Sequence, residues 1–119
     1  MKANEYQAAA LSTAAYVNKE YPFLALAEEA GEVMGKIAKY VRKQQKPVGI
    51  TIMEAMHPRS EPSEKLRADL IKELGDVQWQ LAMCAYEIGV DLSEVMEANI
   101  DKLQVRADLG TIIGEGDDR

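Results

Sequence analysis

Cysteine and histidine are nearly missing from this 119-residue chain, with one of each. The lone Cys84 rules out an intrachain disulfide, and neither residue is numerous enough for a zinc cluster. The isolated His57 also excludes a ferritin-like di-iron centre, which needs a Glu-x-x-His on each of two helices. Aromatic residues are scarce at 6%, with a single Trp and a single Phe. No apolar run approaches the ~20 residues of a membrane span, and no basic, apolar leader opens the chain. We therefore expect a soluble, cytoplasmic protein with no membrane partner. Positive charge is in deficit: 14 Lys and Arg stand against 20 Asp and Glu, a net charge of −6. That balance argues against nonspecific nucleic-acid binding, which depends on basic residues neutralising phosphates, and suits a protein that collects cations. The length fits one domain with one core.

What is present is helical periodicity. Residues 4–20 read as a first helix, with Asn4 as cap, Gln7 three positions on, and the helix formers Ala8, Ala9 and Ala10. Tyr21-Pro22 breaks it. A second helix runs from about Phe23 to Gln44, with Leu26, Ala30, Val33, Ile37 and Val41 on one face. Residues 45–62, punctuated by Pro47, Gly49, Pro58 and Pro62, read as an inserted irregular loop with room for a short turn of helix near Ile52–Met56. A third helix spans about Ser63 to Ile88 on the stripe Leu66, Leu70, Leu74, Val77, Leu81, Cys84 and Ile88, and Gly89 sits at its C-terminal glycine position. The neighbours of Cys84 predict a buried thiol. Asp91 and Glu94 form a capping box for a fourth helix that ends near Leu109, and residues 110–119 read as an extended tail. No alternating run supports a sheet, so the class is all-α: a single domain over 1–119 built on four helices.

Two acidic segments stand out, Glu28-Glu29-Ala30-Gly31-Glu32 and Glu73-Leu74-Gly75-Asp76. In each, carboxylates three apart share a helix face, and at ~100° per residue Glu29 and Glu73 border the apolar stripes. Ionised carboxylates grouped beside a core are costly unless something compensates them. A divalent cation does so, and an all-oxygen donor set selects Mg²⁺, Mn²⁺ or Ca²⁺ over zinc or copper. The plainer alternative is a solvated acidic face, with Glu32 paired to Lys36 at i+4. Gly31, Gly35 and Gly75 lie within the predicted helices at a cost of about 1 kcal/mol each relative to Ala, for close helix packing or for room beside a ligand.

The segments Leu26-Ala27-Glu28-Glu29-Ala30-Gly31-Glu32-Val33 and Lys72-Glu73-Leu74-Gly75-Asp76-Val77-Gln78-Trp79 resemble the two signatures of the MazG-like, all-α nucleoside triphosphate pyrophosphohydrolases. Asn99-Ile100-Asp101-Lys102-Leu103-Gln104-Val105-Arg106 resembles that family's next element, and the tail from Gly110 is similar to the ending of a phage and bacterial branch. The resemblance implies Mg²⁺-dependent hydrolysis, with Mn²⁺ as a possible substitute, between the α and β phosphates of a nucleotide. It implies Glu29, Glu32, Glu73 and Asp76 as metal ligands. Lys102 and Arg106 would hold phosphate, assisted by Asn99. Glu28 and Glu32 are candidates for the general base, a role open to a carboxylate that metal does not fully engage. The gap from Glu32 to Glu73 is long for this family, through the insertion at 45–62, so base-recognition residues do not transfer. Signalling nucleotides that contain a diphosphate are the alternative substrate class, and a noncatalytic helical interaction module is the rival of another kind. Trp79, Met83 and Tyr86 lie off the main stripe of the third helix and predict packing against a second subunit in a homodimer or homotetramer.

Overall fold

The apolar periodicity of the chain resolves into five α-helices and no strand in a computed structural model, which describes residues 1–118. They are α1 (Ala3–Leu11), α2 (Tyr21–Gln44), α3 (Val48–Met56), α4 (Glu61–Glu87) and α5 (Leu92–Asp108). The all-α class agrees with the sequence reading, while the helix count is one higher than expected. The longest elements, α2 and α4, pack extensively on each other and form the frame of the molecule. Its extents of 44 × 43 × 26 Å describe a flat, open shape.

Three differences from the sequence reading have local physical causes. First, α1 ends at Leu11 instead of continuing to residue 20. The Ser12 hydroxyl donates to the Ala9 carbonyl at 2.6 Å and the Thr13 hydroxyl to the Ala10 carbonyl at 2.7 Å, so side chains take acceptors at the helix end. Its N-terminal cap is Lys2, whose N–H donates to the Glu5 carboxylate, and not Asn4. Second, the prolines begin helices rather than break them. Pro22 and Pro62 occupy the first turns of α2 and α4, and Pro47 directly precedes α3. The inserted segment is therefore largely helical. The Tyr40 hydroxyl donates to Glu54 at 2.9 Å, Lys46 pairs with the same carboxylate, and the Arg67 guanidinium donates to the Ala55 carbonyl at 2.9 Å, which together dock α3 on α2 and α4. Third, the tail folds back. Thr111 N–H reaches the Arg106 carbonyl at 2.8 Å, with Gly110 at φ 69°, a left-handed conformation that glycine adopts without strain.

The α4–α5 corner forms as the sequence predicts. Gly89 has φ 78°, Val90 N–H bonds the Ala85 carbonyl at 3.0 Å, and the Glu94 carboxylate accepts from Asp91 N–H at 2.8 Å. Cys84 is buried, as expected. Two satellite cores result: Ala10, Ala82, Met83 and Leu92 join α1, α4 and α5, and Tyr40, Ala55 and Leu66 join α2, α3 and α4. The expectation that Met83 and Trp79 face a second subunit is not met. Met83 is wholly buried within the protomer, and Trp79 packs beside the same core, its indole N–H donating to Thr13 at 2.9 Å, whereas Tyr86 stays exposed. The upper stripe of α4 is also less buried than expected, with Leu74 and Ile88 exposed.

One buried polar side chain fixes the α1–α4–α5 junction. Gln7 donates to the Ala82 carbonyl at 3.2 Å and to the Val90 carbonyl at 3.1 Å, and accepts from Leu92 N–H at 2.9 Å. Nothing else replaces these partners in so apolar a corner, and an orphaned buried donor costs on the order of 1–3 kcal/mol. Gln7→Leu is expected to lower the unfolding free energy by about 2–3 kcal/mol in urea titrations, with helix content retained.

Candidate functional site

The antiparallel course of α2 and α4 determines which acidic residues meet. Glu29, the ninth residue of α2, comes against Glu73 and Asp76 of α4, and one carboxylate oxygen from each lies within 4.8 Å of the others. Glu29 and Glu73 are half-buried and Asp76 is exposed, so the group stands at the margin of the helix interface. Glu28 and Glu32 are exposed on α2. Glu32 stays outside the close group and lies along its own helix, its Oε2 4.0 Å from where a β-carbon on Gly35 would stand. Both nonetheless add to the negative field at Glu29.

That field has a measurable sign. The Glu29 carboxyl is raised above the ordinary carboxylate range, first by burial and then by the charges of Asp76, Glu28, Glu73 and Glu32. Lys36 supplies partial compensation, with its ammonium 3.4 Å from Glu73 Oε1. Sequence reasoning left Lys36 out of the site, although its spacing of seven from Glu29 returns it to the same helix face two turns on. Tyr6 of α1 lies within the field of the group, its hydroxyl raised by burial and by the charge of Asp76. Nothing in the sequence pattern signals that neighbour. A β-carbon on Gly31 or Gly75 would meet nothing within 4 Å, so these glycines do not serve close helix packing and leave open space within the acidic segments.

The basic residues of α5 are placed elsewhere. Within the described residues α5 packs on α1 and α4 and makes no contact with α2. Asn99 is exposed. Lys102 and Arg106 lie 3.9 Å and 3.4 Å from Asp117 Oδ1 in the folded-back tail. Arg106 is buried there, donating also to the carbonyls of Gly116 at 3.4 Å and Asp117 at 2.9 Å, and its Nε is buried without a partner. Within one protomer the structure thus brings together Glu29, Glu73 and Asp76, and does not bring Asn99, Lys102 or Arg106 into any ion pair or hydrogen bond with them.

The donor set suits a hard divalent cation. It is all oxygen, it gathers negative charge that Lys36 offsets only in part, and its ligand atoms are close enough to share one ion. Sequence comparison agrees with this reading of the residues. Residues 18–109 match the MazG nucleotide pyrophosphohydrolase domain. Among curated proteins, "Gene 37 protein" of Mycobacterium phage L5 is 36% identical over 128 aligned positions that cover 100% of both chains. No solved structure matches the chain significantly.

The raised Glu29 pKa gives a stability prediction for the metal-free protein. Because the folded-state pKa lies above the unfolded value of about 4.3, the charged form opposes folding at neutral pH, and this cost fades as pH falls through the folded and then the unfolded value. Glu29→Gln is therefore expected to raise Tm in EDTA at pH 7, with the gain vanishing by about pH 4 in thermal melts followed by circular dichroism.

Proposed function

Because the chain belongs to the MazG nucleotide pyrophosphohydrolase domain family, we propose that it hydrolyses nucleoside triphosphates between the α and β phosphates with Mg²⁺. The observation that carries this reading is the acidic trio on α2 and α4, which falls on both family-like segments and lies inside the matched residues. Glu29, Glu73 and Asp76 would hold the ion, with Glu32 as a further donor after a rotation of its side chain. When bound, the ion neutralises phosphate charge and lowers the pKa of a coordinated water.

The remaining chemistry belongs to the chain. The water oxygen bonds to the α-phosphorus, which becomes the nucleoside monophosphate, and the pyrophosphate departs with the bridging oxygen and the electron pair of the broken P–O bond. The proton of the attacking water passes to a carboxylate oxygen. Glu28 and Glu32 are exposed beside Glu29 and are the groups in reach of such a water. In a polyanion-binding site of net negative charge, Lys36 beside Glu73 is the cation nearest the reacting phosphates. Lys102, Arg106 and Asn99 are proposed to join the phosphates only after Asp117 gives up the two cations it now holds.

We further propose that the chain works as a homo-oligomer. It exposes 8517 Å², against roughly 6,400 Å² expected for a monomer of its mass, and its radius of gyration of 17.4 Å compares with about 13.5 Å for a compact domain of its length. The face of α5 formed by Met96, Ile100 and Leu103 is exposed, and the excess area is on the scale of a stable dimer interface.

Two outcomes test these readings. Glu73→Gln is expected to abolish Mn²⁺ binding in calorimetry and to cut nucleotide turnover by about 10²–10³-fold, with pyrophosphate and not orthophosphate as the wild-type primary product. In sizing coupled to light scattering, the wild type should give at least twice the 13.2 kDa chain mass, and Ile100→Asp should shift it toward that single-chain value.

A further inference from the structure

Residues 110–118 return over the end of α5 and close on one side chain. Thr111 N–H donates to the Arg106 carbonyl at 2.8 Å, and Gly114 N–H donates to the Thr111 carbonyl at 3.0 Å. Gly116, at φ 78°, turns the segment inward. Asp117 then arrives with its Oδ1 3.4 Å from Arg106 Nη2 and 3.9 Å from Lys102 Nζ. Under this cover Arg106 is only 5% exposed. A carboxylate therefore stands on the two cations proposed above to hold phosphate.

The closed contact is a weak one. The Asp117 side chain is 89% exposed, so solvent screens both ion pairs. Among the described residues the Arg106 guanidinium donates only through Nη2, to the Gly116 carbonyl at 3.4 Å, the Asp117 carbonyl at 2.9 Å and the Asp117 carboxylate. Its Nε is buried without a partner, which disfavours the closed form. A guanidinium binds an anion best as a fork, with two parallel N–H donors on two oxygens, and this contact does not use the fork. No residue from 112 to 118 is buried, and Ile113 is 98% exposed, so no apolar anchor secures the segment. Segments with few buried apolar contacts are the ones that open locally.

The cations under the segment have a reason to exchange partners. Lys102 and Arg106 lie four apart on one face of α5, where like charges repel unless an anion joins them. Asp117 is that anion in the closed form, and it brings one screened charge. A polyphosphate carries several charges and presents paired oxygens to the guanidinium fork. On the same two cations it is the stronger ligand, and its binding requires Asp117 to leave.

We propose that residues 110–118 are an autoinhibitory strap, in which Asp117 occupies the phosphate position on Lys102 and Arg106 until a polyphosphate displaces it. The inference rests on the hydrolase reading above and adds a regulatory step to it. The apparent affinity of the two cations for polyphosphate is then their intrinsic affinity scaled by the fraction of molecules with the strap open. Any change that destabilises the closed strap without touching Lys102 or Arg106 tightens binding.

Full-length protein in EDTA is titrated with inorganic pyrophosphate by calorimetry at fixed ionic strength, so neither metal nor turnover enters. Saturable binding is expected, and amide hydrogen exchange at Thr111 and Gly114 should then rise by roughly fivefold or more. Asp117→Asn removes the charge, keeps the shape, and should tighten pyrophosphate by about three- to fivefold. A β-carbon on Gly116 meets nothing within 4 Å, so Gly116→Ala strains the closed strap through φ alone and should tighten binding by a similar factor. Arg106→Gln should weaken binding by roughly tenfold or more. The strap is overturned if Asp117→Asn binds pyrophosphate no better than the wild type, or if exchange at Thr111 and Gly114 stays the same or slows on binding. Absence of pyrophosphate binding in the wild type and in Asp117→Asn alike also overturns it. A responsive strap in a protein that turns over no nucleotide keeps the anion gate and removes the hydrolase reading. Nucleotide turnover with an unresponsive strap does the reverse.

Discussion

Mutual repulsion among Glu29, Glu73 and Asp76 is the constraint to which the rest of this molecule answers. Three carboxylates whose oxygens come within 4.8 Å of one another beside a helix interface repel one another unless something compensates their charge. The fold does not relieve the strain by separating them. The antiparallel pairing of α2 and α4, the largest contact in the molecule, forces them together. It supplies one ammonium, from Lys36 to Glu73, and leaves the Glu29 carboxyl raised. Stability given up at one place, in a family of nucleotide pyrophosphohydrolases, is the feature on which the cation site proposed above rests.

The frame and its acidic residues were legible in the sequence because both depend on helical period. Leu66, Ile37 and the carboxylates beside them repeat on one face, and that pattern survives folding. The local corner at Gly89 was legible for a similar reason, since a glycine at φ 78° followed by a capping box is encoded within six residues. Residues 45–62 were misread because Pro47 and Pro62 carry opposite meanings before a helix and inside one, and only the docking bonds of Glu54 and Arg67 reveal which applies. The junction at Gln7 was invisible because its partners, Ala82, Val90 and Leu92, are 75 to 85 residues away.

The site itself was legible to a similar depth. Carboxylates spaced by three announce a shared face, so the trio could be foreseen, while the retreat of Glu32 toward Gly35 is a matter of rotamer. Lys102 and Arg106 do lie on one face of α5, but period says nothing about what that face meets, and here it meets Asp117.

The attachment of α5 has a mechanical corollary. Leu92 is buried and Ser93 and Val95 are half-buried at its start, while residues 96 to 105 are all exposed, so within the protomer the helix is held to α1 and α4 at one end. Seventeen residues make a rod of about 25 Å. Swivelling such a rod by some 10° about the Gln7 pivot sweeps its distal end through roughly 4 Å, by the same helical rise. A rotation at that junction would therefore displace Arg106, near the distal end, further than Lys102 and much further than Leu92.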